Sequence, residues 1–274
     1  MINKEIIKDL QIKAKRLRKN IIETVYNAKS GHIGGSLSSA EILSVLYFYE
    51  MKLNTENSRD ETRDRFVLSK GHITPAYYSI LAMRGFFSEE ELKGFRKNGS
   101  KLQGHPDRNK VCGVDMSSGS LGQGVSSAVG IALAGKLKKA EYRVYTLLGD
   151  GEIQEGQVWE AAMFSSQHKL DNLCVIVDNN DVQSGDFIKN INSPYPIDKK
   201  FKAFGFNVIT IDGNDVKSLI KAFDKAKKIK GKPTAIIAKT IKGKGVSFME
   251  NKASWHGKVP SAEEFEKAIK ELGE

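Results

Sequence analysis

Apolar and polar positions along this chain follow two periods in turn. Short β-type runs, Arg65 to Leu68, Val144 to Leu148, Leu173 to Val177, Asn207 to Ile211 and Thr234 to Lys239, end in turn residues. Between them lie stretches with helical spacing: Lys4 to Ala28, Ser39 to Tyr49, Pro75 to Arg84, Phe87 to Lys97, Val125 to Leu137, Gly156 to His168, Ile197 to Phe204 and Val216 to Ile229. A last charged helix is expected from Ser261. Strands that alternate with helices predict an α/β fold, a mainly parallel sheet with helices on both faces. With no internal repeat or low-complexity linker, the expectation is one domain over residues 1–274.

Two neighbouring strands carry the most specific chemistry. Val144 to Leu148 runs into Gly149-Asp150-Gly151, and Leu173 to Val177 runs into Asp178-Asn179-Asn180. If the helix between them is a right-handed crossover, both strand tips open on the same edge of the sheet, where such sheets bind ligands. Asp150 and Asn180 then share a cation, and a carboxylate with an amide carbonyl suits Mg²⁺ or Ca²⁺. A diphosphate is the natural partner of such a cation. Gly149 and Gly151 are expected to turn the backbone tightly against the anion, and the start of the next helix offers free amide hydrogens to it.

Composition removes several classes of function. The 274 residues are 40% hydrophobic, yet no run approaches the roughly 20 apolar residues of a membrane span. The amino terminus reads as a charged amphipathic helix without a signal-peptide core, so a cytosolic protein is expected. The two cysteines, Cys112 and Cys174, have no metal-type spacing and read as core thiols. The net charge of +10 comes from lysines dispersed over helix faces, with no aromatic base-stacking pattern. Nucleic-acid binding is not expected; anionic substrates or an acidic partner suit the charge.

Of the five histidines, all but His168 sit in loops beside or next to glycine: Ser-Gly-His32, Lys-Gly-His72, Gln-Gly-His105-Pro and Ser-Trp-His256-Gly. Any one of these alone is an ordinary turn histidine. Together, on loops at the edge of a rigid scaffold, they suggest proton shuttling near neutral pH. The turn Gly119-Ser120-Leu121 opens a small-residue helix, which either packs closely on a neighbour or presents a flexible backbone to an anion.

Gly-Asp-Gly followed by paired asparagines at this spacing resembles the thiamine diphosphate binding motif. With the histidine loops, nearly the whole chain resembles the amino-terminal half of the transketolase family. The resemblance implies thiamine diphosphate and Mg²⁺, with Ca²⁺ or Mn²⁺ as substitutes. Asp150, Asn180 and the main-chain oxygen of Val182 match the metal ligands. His72, His105, Gly119, Ser120, Leu121, Gly151, Asn180 and His256 match cofactor contacts. His32, His105 and His256 match groups that hold the ketose phosphate and move protons at its hydroxyls. Glu155 and Glu160 match carboxylates beside the cofactor at a dimer interface, with Glu155 among the catalytic groups; helix amino-terminal acids held by the dipole are the simpler reading.

The implied reaction moves a two-carbon ketol unit from a ketose phosphate to an aldose phosphate. The pyrimidine-binding domain of longer family members, with its activating glutamate, does not fit in this length. The chain therefore resembles the separate amino-terminal subunit of a split transketolase, inactive alone and forming a heterotetramer with a carboxy-terminal subunit. Two other enzymes share parts of the pattern. One is 1-deoxyxylulose 5-phosphate synthase, which has the same Gly-His-Ile-Gly-Gly-Ser start but is normally one long chain; the other is a transketolase specialised for an unusual sugar phosphate. A non-catalytic cofactor-binding subunit is the alternative outside enzymes.

Overall fold

Five parallel strands form one sheet in the order β1-β2-β3-β5-β4 in the computed structural model, which describes residues 2–273. They are β1 (Arg65–Leu68), β2 (Val144–Gly149), β3 (Leu173–Asn179), β4 (Asn207–Asp212) and β5 (Thr234–Lys239). Every pairing is parallel. Met1 and Glu274, the ends of the expected single domain, lie outside the described residues.

Alternate side chains of each strand feed two apolar layers. Phe66, Leu68, Tyr145, Leu147, Cys174, Ile176, Ile236 and Ala238 belong to one layer. It also holds residues of α1 (Lys4–Ala28), α2 (Ile33–Ser38), α3 (Ala40–Val45), α4 (Thr74–Arg84), α9 (Val216–Lys228) and α10 (Ala262–Glu271). Val67, Val144, Leu148, Val175, Val177, Ala235 and Ile237 belong to the other, with α5 (Gln123–Leu137), α6 (Gly156–Gln167) and α8 (Ile197–Ala203). The period-two alternation of a strand thus places helices on both faces. A short helix, α7 (Ile188–Ile191), lies in the loop after β3.

Several boundaries differ from those read in the sequence, each for a local reason. β3 runs on through Asp178 and Asn179 because both pair with β5, at Ala238 and Lys239. The stretch Ser39 to Tyr49 is α3 followed by a wider helical turn, Leu46–Glu50, whose Glu50 is buried against Tyr145 and Lys227. Phe87 to Lys97 holds only a tight turn, Glu89–Gly94; Ser88 caps its start, and Arg96 beyond its end has a φ of 56°. Cys174 is buried, as expected of a core thiol, whereas Cys112 is only partly buried; both are free. No helix among the described residues is long and apolar enough to cross a membrane.

The stretch read as a glycine loop before α3 is largely the short helix α2, which starts just after His32 and makes close backbone contact. A Cβ on Gly34 would lie 2.6 Å from the main-chain oxygen of Trp255, nearer than real Cβ contacts come. This contact presses the loop of His32 against the loop of His256. Gly34→Ala is expected to lower stability by about 1–3 kcal/mol, the usual cost of forced overpacking. A thermal melt reads it; an unchanged midpoint would mean that the Trp255 loop yields freely.

Candidate active site

The carboxyl ends of β1, β2, β3 and β5 surround a cavity of about 380 Å³. Register explains the meeting point: Gly149 pairs with Asp178, so Asp150 and Asn180 follow from level strand tips. The amide of Asp150 also donates to the Asp178 carbonyl at 3.3 Å. Asp150, Gly151, Asn180 and Val182 all line the cavity.

The histidine loops converge on the same space. Ring centroids of His32 and His72 lie 5.0 Å apart, those of His32 and His256 5.2 Å, and those of His72 and His256 5.6 Å. His105 lines the cavity from a more exposed position, with the Tyr78 hydroxyl donating to its carbonyl at 2.9 Å. Gly119 and Leu121 line it too, whereas Ser120 between them is exposed and outside the lining. Glu155, just before α6, is exposed at the rim of the cavity; Glu160, one turn into that helix, is exposed and outside the lining.

The oxygens expected to hold a cation are fixed by their neighbours. Asp150 is buried; one carboxylate oxygen accepts from the amide of Gly151 at 2.9 Å. The other accepts from the Asp181 amide at 2.6 Å and the Asn179 side chain at 3.1 Å. Asn180 donates through Nδ2 to Asp178 at 3.0 Å, and its Oδ1 accepts from the Val182 amide at 3.2 Å. The Val182 carbonyl accepts from Lys242 Nζ at 2.8 Å. A carboxylate, a side-chain amide oxygen and a peptide oxygen make a hard donor set, which fits Mg²⁺ or Ca²⁺. Among the described residues no three His, Cys, Asp or Glu converge as a metal cluster, and this oxygen set contains only one residue of those types.

The chain turns at Asp150 and Gly151 as expected, but the turn does not require glycine's conformational freedom. Neither Gly149 nor Gly151 has a positive φ, and Gly151 sits at φ −70°, ψ −31°, which any residue adopts. A Cβ on Gly151 would come within 3.3 Å of Gln183 Cβ. Close approach of the chain to itself, not a tight turn, is what the small residue allows there.

Four buried charges beside the cavity escaped the sequence reading: Lys70, Glu152, Asp178 and Lys242. Glu152 accepts from Gly122 N at 2.8 Å, from Gly149 N at 3.0 Å and from the Ser69 hydroxyl, so it clasps three loops. Glu152 and Lys70 stand inside the Gly-Asp-Gly-Glu and Ser-Lys-Gly-His clusters, a visible signal. Lys242 resembled any other lysine of this basic chain.

Burial dominates the protonation of the site. It pushes Asp150 up to about 6, helped by the nearby Asp178 and opposed by the hydrogen bonds of Asp181, Asn179 and Gly151. It draws Lys242 down to about 8, and His256 to about 3 with Lys242 as the next cause. His72 is held well below the usual value by burial and then Lys70, and His32 is lowered by burial, Arg96 and His105. All three imidazoles are therefore neutral at neutral pH. Lys242 Nζ lies 2.8 Å from His256 Nδ1. An ammonium only donates, so Nδ1 accepts and the ring proton sits on Nε2.

A titration followed by histidine ring NMR checks these charges. Free histidine is mostly protonated at about pH 6. The rings of His72 and His256 are expected to stay neutral down to about pH 6, and that of His32 to be less protonated there than free histidine. In Arg96→Gln the His32 titration should move upward, though only partly, since burial is the larger cause. Full protonation of all three rings at pH 6 would contradict the buried, cation-flanked site.

Residues 9–274 match the family described as transketolase, thiamine diphosphate binding domain. The chain belongs to the transketolase family. It is 43% identical over 264 residues to the 6-deoxy-6-sulfo-D-fructose transketolase subunit of Clostridium sp. (strain MSTE9), covering 96% of each chain. It is 41% identical over 268 residues to an apulose-4-phosphate transketolase subunit of Phocaeicola vulgatus, covering 98% of this chain and 95% of the relative. Among solved structures, transketolase from Campylobacter jejuni superposes with a TM-score of 0.90 at 36% identity. That match covers 99% of this chain but 43% of the longer one. In this member of the transketolase family the cavity at the strand tips is lined by charged and amide side chains, histidines and glycines, with Leu121 and Val182 as its only larger aliphatic side chains among the described residues.

Proposed function

We propose that this chain is the amino-terminal, diphosphate-binding subunit of a two-chain transketolase. Paired with a carboxy-terminal subunit in a heterotetramer, two copies of each chain, it transfers a two-carbon ketol unit from a ketose phosphate to an aldose phosphate. The observation that carries this reading is the convergence of the Asp150, Asn180 and Val182 oxygens with His32, His72, His105 and His256 on a single cavity. The relatives named as transketolase subunits, which this chain covers almost end to end, support the two-chain arrangement.

In this reading Asp150, Asn180 and the Val182 carbonyl hold Mg²⁺, for which Ca²⁺ or Mn²⁺ substitutes. Gly119, Ser120, Leu121, Gly151, His72 and His256 hold the cofactor. Thiamine diphosphate, when bound, supplies the electron sink needed to cleave a carbon–carbon bond beside a carbonyl. The protein binds, orients and exchanges protons. His32 and His105 are imidazoles that can take a proton from a sugar hydroxyl and return it, whereas His256 presents its Nε2–H as a donor to a sugar or phosphate oxygen. Lys242 occupies Nδ1 of His256 and so keeps the ring proton on Nε2. Glu155 and Glu160 meet the second copy at the interface. The setting is cytoplasmic interconversion of pentose phosphates.

Relatives of similar identity are named for different sugars, 6-deoxy-6-sulfo-D-fructose and apulose 4-phosphate, so the donor is what distinguishes an ordinary from a specialised transketolase. Donor profiling of the complex, with thiamine diphosphate and Mg²⁺, tests it. Xylulose 5-phosphate as the preferred donor supports the ordinary transketolase, whereas transfer confined to a sulfonated or branched ketose makes it a specialised one. Deoxyxylulose phosphate formed from pyruvate, with no ketol transfer, would replace the proposal by the synthase.

A further inference from the structure

Asp178 at the tip of β3 is 0% exposed, and no role in cofactor or metal contact falls to it. Its carboxylate gathers groups from four of the segments around the cavity. Oδ2 accepts from Ser38 at 2.6 Å, from Ser39 at 3.4 Å, from Lys70 Nζ and from Asn180 Nδ2 at 3.0 Å. Oδ1 accepts from the Thr240 hydroxyl. Lys70 is 2% exposed and also donates to Ser39 Oγ at 2.8 Å and the Gly35 carbonyl at 3.3 Å. These partners come from the His32 loop, the tip of β1 before His72, the tip of β3 and the end of β5 before Lys242.

A side-chain amide has an oxygen end and an NH₂ end of nearly equal shape, and its neighbours decide which way it points. A cation ligand must present the oxygen. On the reading that Asn180 is a metal ligand, we propose that Asp178, held in place by Lys70, is a positioning residue: by accepting from Asn180 Nδ2 it turns Asn180 Oδ1 toward the cation site. An apolar residue at 178 would leave the NH₂ group without a partner, and only the 3.2 Å bond from the Val182 amide to Oδ1 would still hold the amide. The hydroxyls of Ser38, Ser39 and Thr240 cannot replace it, since each sits on Asp178 itself and none is bonded to Asn180.

The test compares variants of the chain in its complex, reading Mg²⁺-dependent thiamine diphosphate binding by calorimetry beside thermal melting. The paired variant Lys70→Met with Asp178→Leu removes both charges and the acceptor. It should weaken the Mg²⁺ dependence about 10- to 100-fold, the usual effect of losing the group that orients a metal ligand. Asp178→Asn keeps an oxygen facing Asn180 Nδ2 and should bind within about threefold of the unaltered protein, although Lys70 loses its ion-pair partner and the melting point falls further. Metal affinity and melting point thus change in opposite order, which a merely structural ion pair would not produce. Unchanged Mg²⁺ affinity in the paired variant, or an equal loss in Asp178→Asn, overturns the proposal. If the paired variant does not fold, the unaltered protein still decides: NMR should show slow exchange of the Asn180 side-chain amide hydrogens, and rapid exchange overturns it. Asn180→Ala is the control for the underlying reading, because retention of Mg²⁺ dependence there removes Asn180 as a ligand whatever Asp178 does.

Discussion

Asp150→Ala is expected to reduce Mg²⁺-dependent thiamine diphosphate binding by at least about 100-fold, and ketol transfer by the complex with it. Asp150 is the one carboxylate in the proposed ligand set, so its loss removes the charge that compensates a divalent cation as well as one coordination position. The same change frees the amide hydrogens of Gly151 and Asp181 and the Asn179 side chain, which all converge on this carboxylate. The loop carrying Val182 is then loosened from the loop after β2. Circular dichroism would show that the sheet persists, and calorimetry with and without Mg²⁺ reads the affinity. Binding that keeps its full Mg²⁺ dependence in this variant would falsify the metal assignment.

The purified chain without its partner is expected to give no ketol transfer from xylulose 5-phosphate to ribose 5-phosphate, while the complex does. The cavity explains why. It carries oxygens and histidines suited to a diphosphate and to sugar hydroxyls, but among the described residues its only larger apolar side chains are Leu121 and Val182. Aromatic rings such as those of the cofactor need enclosing walls to be held and oriented, and on the proposed two-chain reading the partner subunit supplies the wall on the open side. Equal turnover by the chain alone, after removal of any partner, would show that this cavity is a complete active site.

Most of the site was visible before the structure, because its residues stand in short clusters at strand ends: Gly-Asp-Gly after β2, Asn-Asn after β3, and histidines beside glycine. Such clusters are readable because a strand tip is local, and a turn needs particular residue types to form. Glu160 and Ser120 are exposed outside the cavity lining, so their proposed contacts depend on surfaces beyond the cavity itself. Neither Gly149 nor Gly151 has a positive φ, and only at Gly151, where a Cβ would come within 3.3 Å of Gln183, do neighbouring atoms favour the small residue.

The amino-acid sequence by itself determined the kind of fold and the edge where chemistry occurs: hydrophobic period specifies strand or helix, and alternation of the two specifies a parallel sheet with ligands at its carboxyl end. It also supplied the residue types for a cation and for proton transfer. Only the tertiary structure decided which side chains meet. The strand order β1-β2-β3-β5-β4 brings Lys70 and Thr240, distant along the chain, onto Asp178, and brings Lys242 onto Val182 and His256. The reason is physical: a lysine looks the same in sequence whether solvated or buried, and desolvation by the surrounding fold is what turns it into a paired, proton-sensitive part of the site.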